Sequence, residues 1–316
     1  MSRLNTPRAV AKSSSVEPRA ATLETALAAT ASRLSDYLEL TKPRIVVLEL
    51  IVAGAAACLA ARHTLNVGAV LQALAATALV AASASIANQW IERRNDARMV
   101  RTANRPLPAG RVTSTEAIVL STVTLVVGVT WLAAKVNLTT AALGLASWVL
   151  YVMIYTPLKT RSPINTTVGA VAGAIPILMG WTATGTPLNL TALSLAGVLF
   201  LWQFPHFMAI AWLYRHDYAM AGHRMLTVVD PSGVRAGVQA IRGAVLLIPI
   251  SLIPALHPTS GSPMVYALWA TALGAVQLAL AIRFALERDE RSARLLLRAT
   301  LVYLPAWMGL QLMVSM

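Results

Sequence analysis

Asn88, Glu92 and Asp96 recur at a spacing of four in the segment Asn88-Gln89-Trp90-Ile91-Glu92-Arg93-Arg94-Asn95-Asp96. On a helix each step of four advances about 400°, so the three side chains fall within about 80° of one another at intervals of roughly 6 Å. They form a single oxygen-lined face. Two carboxylates and an amide turned towards one cavity repel each other unless a hard cation lies between them. Mg2+ accepts such oxygens while keeping coordination sites for phosphate. Arg101 and Arg105 follow closely and supply the guanidinium groups that a diphosphate requires. Taken alone, the spacing suits equally well a solvated helix end whose acids and arginines form surface pairs.

Two further places set polar groups into apolar surroundings. Tyr155 and Lys159 stand four apart at the end of an apolar run, either as an aromatic-belt residue with a snorkelling lysine or as a second pair of groups for an anion. Gln203 and His206 interrupt the apolar segment Trp202-Gln203-Phe204-Pro205-His206-Phe207, with Asp217 and Tyr218 shortly after it. Burying an amide and an imidazole is costly unless they face a partner or a cavity. A packed, hydrogen-bonded histidine is the plainer alternative.

The elements that must position these residues are membrane spans. Of 316 residues, 57% are hydrophobic and only 12% charged, with a mean hydropathy of +0.63, against roughly 25% charged in a soluble domain. Nine apolar stretches, each long enough to cross a ~30 Å hydrocarbon core as a helix, are predicted at residues 45–61, 67–90, 116–134, 140–157, 163–183, 190–213, 237–256, 264–285 and 293–313. Threading them across a bilayer leaves 24 of the 26 basic residues on one side, with only Arg62 and Lys135 opposite. That bias places the N-terminus in the cytoplasm and the C-terminus outside. It also accounts for the net charge of +13 without nucleic acid, because the basic residues lie between spans rather than on a polar domain. Cys58, the single cysteine, sits in an apolar run and excludes a disulfide framework or a cysteine zinc site. Residues 1–38 read as a disordered cytoplasmic leader, and 39–316 as a single transmembrane domain.

The stretch from Asn88 through Met99, Arg101-Thr102 and Arg105-Pro106 resembles the Asn-x-x-x-Asp-x-x-x-Asp signature of the UbiA superfamily of intramembrane prenyltransferases, in its heme O synthase branch. Trp202-Gln203-x-Pro205-His206 and Asp217-Tyr218-x-x-Ala221 resemble that branch as well. Tyr155 and Lys159 match the family's Tyr-x-x-x-Lys element, and Thr41-Lys42-Pro43-Arg44 its opening motif. Arg44 itself is read as a positive-inside anchor. Glu92 stands where the family has Asp, and Ala221 where many members carry the last acid of a second Asp-x-x-x-Asp.

The resemblance implies an all-α bundle of about nine transmembrane helices around a central chamber, in a bacterial inner membrane. It implies transfer of a farnesyl group from farnesyl diphosphate to a vinyl group of heme B, with the product passing to a downstream heme A synthase. It assigns Mg2+ to Asn88, Glu92 and Asp96, with Asp217 the sole carboxylate left for a second ion. Catalysis falls to Asn88, Asp96, Lys159 and Asp217, and substrate or cofactor binding to Arg101, Arg105, Tyr155, His206 and Tyr218, with His206 towards the heme. His63, His216, His223 and His257 are expected nearer the membrane edges, without a special role. A relative acting on a quinone or chlorophyll precursor is the nearest alternative. A transporter would need an acid at mid-membrane depth, and the acids are expected to cluster at one face instead.

Overall fold

The computed structural model describes residues 30–61, 66–256 and 262–315. Most of the expected leader (residues 1–29), and with it Arg62, His63 and His257, lies outside the described residues. Among those described there is no strand, and nine helices are long and apolar enough to cross a membrane. They are α1 (Pro43–Ala61), α2 (Val67–Asp96), α3 (Ser114–Lys135), α4 (Leu138–Leu158), α5 (Asn165–Ala183), α6 (Leu190–Leu213), α7 (Val234–Leu256), α8 (Pro263–Glu287) and α9 (Glu290–Val314).

Local chemistry sets the helix starts. Asn66, Asn137 and Asn189 each accept a hydrogen bond from the backbone N–H three residues on, which satisfies a donor that the first turn leaves free. Thr113 and Glu116 form a reciprocal capping box on α3. α2 runs six residues past the apolar limit expected at residue 90. Its polar last turns stay helical because Glu92 and Asp96 are buried against cationic partners.

The expected leader boundary at residue 38 is corrected: residues 30–40 are helical. Asp36 accepts from Arg111 at 2.8 Å, Arg33 pairs with Glu116, and the Leu40 carbonyl accepts from the buried Gln89 amide at 2.8 Å. Composition hid this helix because its anchors come from distant residues.

Packing is by close approach of small residues, as expected where lipid gives no hydrophobic drive between helices. Gly180 of α5 lies against the backbone of Ala53 in α1, so close that a side chain there would collide with the Ala53 carbonyl. Gly243 of α7 similarly admits Phe204 and the Leu201 carbonyl of α6 beside the Pro205 kink. One apolar cluster joins α1, α5, α6 and α9 through Ala56, Ile177, Leu195 and Trp307. A second joins α6 to α9 through Met208, Ala240, Phe284 and Leu296.

Candidate active site

Four helix ends converge on the basic side of the bundle: the start of α1 and the ends of α2, α4 and α6. Each contributes for a reason visible in its chain. In α4 the helix widens to a π-helix over Val149–Tyr155, where Pro157 has no N–H to give and the Thr156 hydroxyl donates to the Tyr151 carbonyl at 2.8 Å. That segment carries Tyr155 and Lys159 to the polar face of α2. In α1 the chain enters through Lys42, whose φ of 51° is left-handed, a conformation that costs a non-glycine residue about 1–2 kcal/mol. The Lys42 ammonium thereby reaches across to α2.

The result is an alternating array of acids and cations. Lys42 Nζ donates to Asn88 Oδ1 at 2.7 Å. Asn88 Nδ2 donates to Glu92 and to the Thr156 hydroxyl, each at 3.0 Å. Lys159 Nζ lies 2.9 Å from one Glu92 oxygen and 3.0 Å from the other, with the Tyr155 ring 4.6 Å beneath it. Arg105 Nη1 donates to Asp96 Oδ2 at 2.8 Å. Asn88 and Asp96 are each only 1% exposed. Each of the two carboxylates has its own basic partner, Lys159 for Glu92 and Arg105 for Asp96.

Apart from Thr156, these residues line one cavity, together with Met99, Arg101, Tyr218, His223 and Met225. Arg101 is steadied there over the Tyr214 ring at 5.1 Å. The segment after α6 closes the cavity as a clamp. Asn95 donates to the Ala221 carbonyl at 2.7 Å, and Arg224 N–H donates to the Lys159 carbonyl at 2.6 Å. Between these anchors Gly222 takes a left-handed turn (φ 73°), which points His223 inward.

His223 corrects the expectation that it needs no special role: it is buried, lines the cavity, and its Nδ1 has no hydrogen-bond partner among the described residues. Lys42, expected only as part of the family's opening motif, is likewise a cavity residue. Its backbone strain and its reach to Asn88 have no signature in residue type.

Charge states follow from these surroundings. Burial, with Lys159 and Arg105 nearby, pushes the Lys42 ammonium down to about 7. Burial also opposes the charge on Lys159, but Glu92 and the hydroxyls of Tyr155 and Tyr151 outweigh it and hold that ammonium above its ordinary value. The His223 imidazole is lowered by burial, with Glu92 opposing. Tyr218 is raised by burial.

Asn88, Glu92, Asp96, Arg101, Arg105, Tyr155, Lys159 and Tyr218 are thus brought together, while Asp217 and His206 are not. Asp217 sits half-buried on the short helix Arg215–Met220 outside the cavity lining, and its carboxylate meets no cation within ion-pair distance among the described residues. His206 lies on α6, stacked on Trp202 with ring centroids 4.7 Å apart. Its Nδ1 is 2.9 Å from the Thr300 hydroxyl of α9. That hydroxyl donates its one proton to the Leu297 carbonyl at 2.6 Å. With that proton on the Leu297 carbonyl, the hydroxyl accepts from His206 Nδ1, the tautomer that leaves Nε2 as a lone pair. Trp202 Nε1 fixes the same corner by donating to the Thr300 carbonyl at 2.7 Å.

One acid stands apart from the cluster at the basic face. Glu49 sits six residues into α1, half-buried.

The site can hold an anion of high charge in a water-poor setting. Four cationic side chains, Lys42, Arg101, Arg105 and Lys159, meet oxygen donors of the kind that bind hard divalent ions. Comparison with known proteins agrees. A protoheme IX farnesyltransferase from Rhodopirellula baltica is 42% identical over 277 residues, covering 85% of this chain and 96% of that protein. Another from Solibacter usitatus is 39% identical over 289 residues, covering 89% and 98%. The fold is shared with a UbiA homolog from Archaeoglobus fulgidus bound to GPP and Mg2+, at a TM-score of 0.66 and 14% identity over 87% of this chain and 99% of that one. Residues 50–304 match the model of the UbiA prenyltransferase family, and the chain belongs to that family.

Proposed function

We propose that this protein farnesylates heme B, joining C1 of farnesyl diphosphate to a heme vinyl group with loss of diphosphate and addition of water to give heme O. The observation that carries the reading is the cavity in which Asn88, Glu92 and Asp96 face Lys42, Arg105 and Lys159, in a chain akin to protoheme IX farnesyltransferases over most of its length.

The oxygen donors fit Mg2+, which Asn88, Asp96 and Glu92 would hold. When bound, the ion would act as a Lewis acid on the phosphate oxygens. The protein's own contribution is a charge exchange. Without substrate, Arg105 and Lys159 neutralise Asp96 and Glu92. With a diphosphate present, the same cations turn to phosphate oxygens, joined by Lys42 and Arg101. They then stabilise the charge that grows as the C1–O bond breaks. Tyr155 seats Lys159 from below, and Tyr218 with His223 closes the cavity so that water does not capture the allylic cation early. Asp217, outside the lining, receives no step in this scheme.

His206 presents Nε2 to the heme iron, its orientation set by Thr300 and Trp202. The excess of basic residues in the loops on one side supports an N-terminus facing the cytoplasm; the membrane in this reading is a bacterial inner membrane, and a heme A synthase is the recipient of the product.

The test is incubation of the detergent-purified protein with heme B, farnesyl diphosphate and Mg2+, with and without EDTA, followed by pigment mass analysis. An EDTA-sensitive gain of a hydroxyfarnesyl group supports the proposal. Diphosphate release without a pigment product moves the acceptor elsewhere in the family. Absence of both in a folded protein overturns the reading.

A further inference from the structure

The buried face of α1 carries one residue that the diphosphate site does not use. Glu49, Ala53 and Ala56 stand at i, i+4 and i+7 and so share a face. That face is turned inward: Ala53 abuts Gly180 of α5, and Ala56 packs in the cluster with α6 and α9. Glu49 lies six residues past Pro43, about 9 Å further into the bundle at 1.5 Å per residue. This is deeper than the point at which Lys42 meets Asn88.

Tyr151 is a polar group near it. Tyr151 lies one turn deeper in α4 than Tyr155, with the two rings 5.2 Å apart. Its hydroxyl is within Coulombic reach of Glu49, and Glu49 is within reach of Lys42. Neither the Glu49 carboxyl nor the Tyr151 hydroxyl makes a hydrogen bond or ion pair among the described residues. A carboxyl inside a span costs on the order of 3 kcal/mol when inserted, and here no partner offsets it, so the residue calls for a functional account.

We infer that Glu49 is the general base of the hydration half of the reaction. This rests on the farnesylation proposed above. The C1–O bond breaks and its electron pair leaves with diphosphate. The vinyl π pair forms the new carbon–carbon bond to C1, which leaves the vinyl carbon next to the porphyrin positive. A water oxygen then bonds to that carbon, and the proton it sheds goes to a Glu49 carboxylate oxygen. Position supports this assignment. Glu92 and Asp96 are neutralised by cations at the diphosphate end, whereas Glu49 lies beyond them on the side where the prenyl carbon and its acceptor must meet. Tyr151 is placed to hold the attacking water beside it.

The deciding experiment compares Glu49→Gln and Glu49→Asp with the parental protein in single turnovers, measuring diphosphate release and heme O formation separately. The Gln variant keeps the volume and shape of the side chain but cannot accept the proton, and matched melting temperatures in detergent establish folding. The expected result is diphosphate release within about threefold of parental. Heme O formation by Glu49→Gln should fall on the order of a hundredfold, the usual contribution of a general base. The missing flux should appear as farnesol or an unhydrated heme adduct, with partial recovery of heme O in Glu49→Asp. Parental heme O yield in Glu49→Gln, or equal loss of both products, overturns the inference. If the parental protein releases diphosphate without converting heme B, the farnesylation reading fails first and the role of Glu49 falls with it.

Discussion

The Lys42 ammonium stands 2.7 Å from the side-chain oxygen of Asn88, delivered there by a left-handed backbone that the following proline makes harder still to adopt. Strain of this kind persists where the surrounding structure over-determines it and where a side chain must be aimed. Lys42 faces the carboxylates of Glu92 and Asp96 but also the cations of Lys159 and Arg105. Burial, together with these cations, lowers its ammonium from the ordinary value.

A proton should therefore be taken up when a diphosphate binds. Burial and the neighbouring cations push the Lys42 ammonium down to about 7, below an exposed lysine, so at pH 8 and without an added anion the side chain is mostly the neutral amine. An adjacent phosphate oxygen favours the ammonium and raises it again. Titration of inorganic diphosphate in EDTA, in two buffers of different ionisation enthalpy, should show uptake at pH 8. The uptake should shrink towards pH 6, where the amine is already protonated, and vanish in Lys42→Met. Equal heats in both buffers at pH 8 would remove Lys42 from the anion site.

Glu92 and Lys159 should be coupled in stability. Glu92 is buried and the Lys159 side chain is only 16% exposed, so removing one partner strands the other charge, at a cost approaching the roughly 3–5 kcal/mol of a fully buried pair. Glu92→Ala and Lys159→Ala should each lower the melting temperature in detergent. The double variant Glu92→Gln/Lys159→Met should recover most of the loss while remaining inactive. Additive losses in the double variant would mean that the pair is not coupled in the folded protein.

The spans were readable from the sequence because crossing a bilayer demands length and apolarity, both of which are local properties. The α6 limits match residue for residue, and the face carrying Asn88, Glu92 and Asp96 followed from helical geometry alone. What stayed hidden depends on contacts between distant residues. The partners of Glu92 and Asp96, the inward turn of His223 at Gly222 and the aim of Lys42 are all set by tertiary anchors such as Asn95 on the Ala221 carbonyl. Glu49 escaped notice because one acid in an apolar run does not alter the hydropathy of a span. Only the packing of Ala53 and Ala56 shows which way it faces.

Three substitutions on the basic side of the bundle should separate chemistry from topology. Asp96→Asn removes a cavity carboxylate and leaves Arg105 without its anion, so turnover should fall at least a hundredfold in a protein that remains folded. Arg93 donates to the Trp90 carbonyl and lies over the Trp90 ring, outside the cavity lining. Arg93→Ala should therefore stay within about threefold of parental, as expected for a surface change. Asp217→Asn should be closer to Arg93→Ala than to Asp96→Asn. A loss in Asp217→Asn as large as that in Asp96→Asn would instead place Asp217 in the diphosphate site and require the short helix Arg215–Met220 to shift on binding.

The hydrogen bond from His206 to Thr300 should be read out in the heme spectrum. With the Thr300 proton on the Leu297 carbonyl, Thr300 accepts from His206 Nδ1, and this tautomer leaves Nε2 free for the iron. Thr300→Ser preserves the acceptor and should leave the bound ferric heme spectrum unchanged. Thr300→Val removes it and strands a buried N–H, which should weaken heme binding about 10–100-fold, the usual penalty for losing a partner behind a metal-binding histidine. His206→Ala should abolish the nitrogen-ligated Soret signature altogether while diphosphate binding stays intact, since His206 does not line that cavity. A parental Soret band in His206→Ala would move the iron ligand elsewhere and leave His206 as a packing residue between α6 and α9.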